Sequence, residues 1–170
     1  MAVSSQAAPV NFSVAQRALH WLTVLLIAWQ FIAASGFEAA EEARDAGTEV
    51  AGWAIAFIQS HFYAGFAILA FTLLRLVLRF TQGAPAAPES EPKALQLVAK
   101  ITHGLIYITL LGMPLSGIGF KYFGFDFMHL PHVGPLKALM IALIAIHVIG
   151  ALAQQFYLKT NVMARMTRGV

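Results

Sequence analysis

Apolar and polar positions along the chain fall into blocks. Four long apolar runs, at about residues 14–37, 50–80, 94–120 and 135–158, are separated by three polar stretches. A helix needs roughly 20 mainly apolar residues to cross about 30 Å of hydrocarbon, and each run reaches that length. The fourth, PLKALMIALIAIHVIGALAQQFYL, is the most continuous. The pattern predicts an all-α, integral membrane four-helix bundle of up-down topology, with residues 1–170 as a single domain. A secretory signal is the rival reading of the first run, because Ala33-Ala34-Ser35 imitates a cleavage site. Its length, and the His20-Trp21 pair at its start, favour a retained helix.

The polar stretches differ in kind. Residues 1–13 are short and polar, and a loosely ordered segment is expected there. EAAEEARDAGTE, residues 38–49, is an acidic connector with room for a helical turn. QGAPAAPESEPK, residues 82–93, is Pro-rich and cannot continue a helix. Residues 121–134 form a short connector carrying His129 and His132. Inside the third run, GMPLSG places Pro114 between Gly112 and Gly117, which predicts a kink and close backbone approach.

Composition narrows the class. The chain of 170 residues is 59% hydrophobic and 11% charged, with a mean hydropathy of +0.71; a soluble domain carries about 25% charge. Cysteine is absent. That removes disulfides, iron–sulfur clusters, thiolate-ligated iron and covalently attached haem. The net charge of +3 does not point to nucleic acid, because the basic residues cluster at the ends of apolar runs. Arg17, Arg75, Arg79, Lys93, Lys100, Lys159, Arg165 and Arg168 flank one side, against Arg44, Lys121 and Lys137 on the other. The excess marks the cytoplasmic side, so both termini and the Pro-rich linker are expected there.

Histidine is the candidate chemistry. His20, His61, His103 and His147 each lie in a different apolar run, where an imidazole without a partner is costly. At 1.5 Å rise per residue, His20, His103 and His147 fall in the cytoplasmic half of the bilayer and His61 in the outer half. His129 and His132 sit at the outer edge. Two layers of imidazole suit two haems stacked across the membrane, since fifteen residues of helix from His132 to His147 span roughly 22 Å. Gly65, one turn after His61, and Gly150 and Ala151, beside His147, leave space for a flat macrocycle or simply ease helix packing. His103 and Tyr107, four residues apart, form a competing structural hydrogen-bond pair. Arg75 and Arg79 share a helix face and are candidates for haem propionates; Arg17 is a third candidate beside His20. The spans hold no carboxylate, and no phosphate loop, G-x-S-x-G or H-E-x-x-H is present.

RALHWL, SHFYAGFAILAFTLLRLVLRF, HGLIYITLLGMPLSG and HVIGALAQQFYLKTNVMARM, in that order and spacing, resemble the bacterial cytochrome b561 family of small four-helix di-haem cytochromes. The resemblance implies bis-histidine haem b. His20 and His147 would be the iron (metal) ligands of the cytoplasmic haem. His61 would be one ligand of the outer haem. The family's usual position for the other ligand is occupied by Val133, leaving His132 first and His129 second. His103 matches a family histidine that is not normally a ligand, near quinone or propionate. The family's His-His pair in the last span is Gln154-Gln155 here.

The implied function is electron exchange with ubiquinone in the bacterial inner membrane, among lipid, with an electron donor left open. Superoxide oxidation at the periplasmic face is a further possibility. Against it, Glu38, Glu41, Glu42, Asp45, Glu49 and Asp126 make the outer connectors acidic. Lys121 and Lys137 are the local counterweight. A cytochrome b anchor subunit of a peripheral dehydrogenase or hydrogenase is one alternative. A haem-free scaffold or small transporter is another.

Overall fold

The computed structural model describes residues 9–169, and these are all helical apart from short connections. The expectation of loose order over residues 1–13 lies, for residues 1–8, outside the described residues. The helices are α1 (Val14–Ala33), α2 (Ser35–Asp45), α3 (Gly52–Gln82), α4 (Lys93–Phe123), α5 (His129–Val133), α6 (Pro135–Phe156) and α7 (Val162–Thr167). A 3-10 turn over Asp126–Met128 precedes α5. Four helical stretches are long and apolar enough to cross a membrane, as the hydropathy pattern predicts.

Local chemistry sets the boundaries. Ser13 caps α1 in a reciprocal box: its Oγ accepts from Gln16 N at 3.2 Å, and Gln16 Oε1 accepts from Ser13 N at 2.9 Å. The same Gln16 amide donates to Gly83 O at 2.9 Å, tying the start of α1 to the end of α3. Gly83 and Gly124, both at positive φ, stop α3 and α4, a backbone state that glycine adopts without penalty. Pro135 opens α6 at its first position, where the missing N–H is no loss.

One difference from the sequence reading has a physical cause. The acidic connector is more helical than a single turn, because α2 runs to Asp45. Glu38, Ala39, Ala40, Glu41, Glu42 and Ala43 are mostly strong helix formers, and Ala34 keeps a helical conformation at the junction. The first apolar run therefore bends into α2 without unwinding. The third run forms one helix that carries Pro114 in its interior, where the ring removes one backbone donor.

α1 packs on α3, α3 on α2 and α4, and α4 on α6. The core is small: Ile68, Leu110 and Met140, with Leu26, Ile27, Ile106, Met113 and Ile144 against them. Leu25, Phe80, Ile108 and Ile149 are among many exposed apolar side chains, the surface of a bundle solvated by lipid. Hydroxyls inside the bundle bond to their own helix: Thr23 to Leu19 O, Thr72 to Ile68 O, and Thr109 to Leu105 O. These three are thereby paired within the apolar interior.

One end of the bundle is laced together by polar contacts. Trp21 Nε1 donates to Met166 O at 3.1 Å, Arg17 Nη1 approaches Thr167 O at 3.4 Å, and Arg165 Nη1 donates to Ala86 O at 2.8 Å. Gln154 Nε2 donates to the buried Glu91 carboxylate, and its Oε1 accepts from Thr160. The start of α1, the Pro-rich linker and α7 thus share one face, as an even number of crossings requires.

At the opposite end, Gly36 fixes the α2–α3 crossing: a Cβ there would lie 2.7 Å from Ala54 O and 2.8 Å from Phe57 Cβ. Backbone cannot yield as a side chain does, so Gly36→Ala is expected to cost about 1–3 kcal/mol through overpacking. The measurement is the thermal unfolding midpoint in detergent, and an unchanged midpoint would remove Gly36 from the crossing.

Candidate haem-binding site

The imidazoles converge in two clusters. At the laced end, His20 from α1 and His147 from α6 have ring centres 6.2 Å apart at an interplanar angle of 64°. His103 from α4 approaches His147 more closely, at 5.0 Å. Arg75 from α3 places Nη2 3.1 Å from His20 Nδ1 and stacks its guanidinium over Tyr107 at 5.5 Å. His103 Nδ1 lies 2.6 Å from Ala99 O, so the expected His103–Tyr107 pairing gives way to a bond inside α4, and Tyr107 turns to Arg75. Arg17 is directed to the C-terminal tail at Thr167 O.

At the other end, His61 from α3 and His132 from α5 stand 6.2 Å apart, ring centre to ring centre, at 72°. Phe37 packs edge-on against His61 at 5.2 Å. Gln30 Nε2 donates to His61 O at 3.1 Å, while His61 Nδ1 and Gln30 Oε1 are buried and lack a partner. The contact with Gln30 sets His61 ten residues along α1 from His20, or roughly 15 Å in depth. His129 lies tilted against Phe120, ring centres 4.5 Å apart, whereas His132 is the histidine brought to His61.

A haem fits these residues. An iron bonded to two imidazole nitrogens at about 2 Å each holds the ring centres roughly 6 Å apart. Both cross-helix pairs have that separation, and the 5.0 Å of His103 to His147 is too short for it. Among the described residues no set of three or more His, Asp or Glu side chains forms a metal site. Two donors per cluster suit an iron whose other four positions belong to a porphyrin. His132 Nδ1 is 2.9 Å from Met113 O, which can only accept, so the ring proton lies there and Nε2 keeps its lone pair. His20 is held differently. The Arg75 guanidinium can only donate, so His20 Nδ1 accepts; binding iron through Nε2 requires the proton on Nδ1 and Arg75 turned to another acceptor, such as a carboxylate.

Sequence reasoning did not single out Gln30, Met113 or Ser116 as partners of the site, and it set Tyr107 beside His103 instead of Arg75. Only helical register could have flagged them, and that needs the rotation of each helix to be known. Between α1 and α6 an apolar groove of about 500 Å³ is lined by Phe31, Ile141, Ile144, Ala145 and Val148, the kind of wall a macrocycle or lipid tail accepts.

The family model for prokaryotic cytochrome b561 matches residues 11–169. A cytochrome b562 of Cereibacter sphaeroides is 31% identical, covering 90% of this chain and 92% of the relative. A probable superoxide oxidase, CybB, of Yersinia pestis is 28% identical, covering 92% and 95%. Cytochrome b561 homolog 1 of Escherichia coli K12 is 27% identical, covering 92% and 96%. No solved structure matches significantly. The chain belongs to the prokaryotic cytochrome b561 family, and it is a haem b-binding, multi-pass membrane protein of electron transport.

Proposed function

We propose that this protein is a di-haem cytochrome that carries electrons across the bacterial inner membrane to or from ubiquinone. The observation that supports the reading most is the pair of 6.2 Å imidazole separations, His20 to His147 and His61 to His132, at two depths of one bundle. His20 and His147 are the ligands at the cytoplasmic end, and His61 and His132 those at the periplasmic end. The crowding of Lys and Arg at the laced end supports cytoplasmic termini, and residues 1–170 act as one domain.

Haem supplies the one-electron iron chemistry when bound. The chain's own residues do the rest. Four imidazoles from α1, α3, α5 and α6 would hold the two centres. Arg75 and Arg79, at the cytoplasmic end of α3, carry positive charge to where propionates are held. His103, beside His147 but too close to share an iron with it, is a candidate for the quinone headgroup.

A second reading, superoxide oxidation at the outer face, is favoured by one contact and one relative's name. Lys121 Nζ lies over the Phe62 ring at 5.5 Å, and that ring is 6.1 Å from His61. A cation therefore stands one ring away from the outer pair. Arg44 offers no comparable attraction, because Glu41 and Asp45 already engage it at 3.2 and 3.5 Å. Two superoxide anions give up one electron each and leave as O₂, while ubiquinone takes both electrons and two protons to become ubiquinol. The relative named as a probable superoxide oxidase supports the same chemistry.

A pyridine haemochrome assay of the purified protein is expected to give about two haems per chain. His132→Ala should give one and His129→Ala two. A colourless wild-type protein would overturn the cytochrome reading, and two haems in His132→Ala would overturn the ligand assignment. For the second reading, superoxide-dependent ubiquinone reduction should fall several-fold in Lys121→Glu at low salt, with the difference shrinking as ionic strength rises. Failure of the wild type to consume superoxide would remove that reading.

A further inference from the structure

The segment Gly112–Gly117 of α4 packs Met113 against the core, and the His132 ring also rests on it. Three observations meet there. His132 Nδ1 is 2.9 Å from Met113 O and 2.9 Å from Ser116 Oγ. Ser116 Oγ itself donates to Met113 O at 2.8 Å, so its lone pairs are left to accept from the imidazole. Finally, a Cβ on Gly117 would lie 3.1 Å from His132 Cε1, 3.5 Å from Nδ1 and 3.7 Å from Nε2. The ring occupies the space that any side chain at 117 would fill.

We propose that Met113, Ser116 and Gly117 form a cradle that positions His132 as the outer iron ligand and tunes the potential of that centre; this rests on the reading of His132 as a ligand. His132 comes from a five-residue helix that ends at Gly134, an element too short to hold a side chain by itself. α4 supplies the missing rigidity. The carbonyl of Met113 and the hydroxyl of Ser116 both take the Nδ1 proton, which fixes the tautomer, aims Nε2 at the His61 side and makes the ring a stronger electron donor. Gly117 lets the ring lie flat against the helix. His61, the facing imidazole, has no such hold on Nδ1, so the cradle makes the two ligands of one centre unequal. Met113, Ser116 and Gly117 act through His132 and are positioning residues.

The test uses the purified full-length protein in detergent, by haem count and redox titration, with the inner centre as internal reference. Ser116→Ala removes one acceptor and leaves Met113 O. The outer midpoint is expected to rise, shifting the oxidised-to-reduced ratio at fixed ambient potential about threefold (about 28 mV, at 59 mV per tenfold for one electron), with the inner midpoint unmoved. Gly117→Val should lower the count from two haems per chain to one and keep the inner spectrum. An outer midpoint unchanged in Ser116→Ala, or two haems at wild-type potentials in Gly117→Val, would overturn the cradle. Should Gly117→Val fail to fold, the Ser116→Ala titration alone decides. Two haems in His132→Ala would instead sink the ligand reading on which the cradle stands.

Discussion

An imidazole inside hydrocarbon costs free energy until its two nitrogens are occupied, and this bundle gathers five of them into two clusters. Every other feature of the site answers that cost. Backbone carbonyls of the same helix or a neighbouring one take a ring nitrogen of His103 and His132. The Arg75 guanidinium takes one of His20. The ring centres of His20 and His147, and of His61 and His132, stand 6.2 Å apart, a separation suited to an iron between two imidazoles. Each pair joins different helices, α1 with α6 at one end and α3 with α5 at the other, so the proposed ligation would also tie those helices together.

The two ends are built differently. The laced end is set by long helices, with His20, Arg75, Tyr107, His103 and His147 drawn from α1, α3, α4 and α6. The terminal α7 and the Pro-rich linker close over it through Trp21, Arg17 and Arg165. The other end takes His132 from a short connector and rests its ring on α4 at Met113 O and Ser116 Oγ. An electron path needs centres at fixed depth and fixed separation, and in the proposed di-haem reading both arrangements would supply them. The Gln30 to His61 contact ties the depth of His61 to α1, which also carries His20.

Charge is distributed unevenly between the ends. Arg75 and Arg79 concentrate positive charge where α3 leaves the bilayer near His20. The opposite end is acidic overall, and there Lys121 is held over an aromatic ring close to His61. That cation gives a small anion a local attraction within an otherwise acidic surface.

Hydropathy alone was sufficient for the four spans, their order and the all-helical class, because lipid leaves a long apolar segment no other backbone solution. The family, the histidine in each span and the two-layer arrangement were equally legible, since depth follows from helical rise and needs no neighbour. What the tertiary structure decided was rotation and reach. Which of His129 and His132 turns to His61, whether Tyr107 serves His103 or Arg75, and that Arg17 leaves the site for the tail all depend on contacts between segments far apart in sequence. The extension of α2 past the first run, and the slot opposite Gly117, belong to the same category. Periodicity reports which residues share a helix face; only packing tells what that face meets.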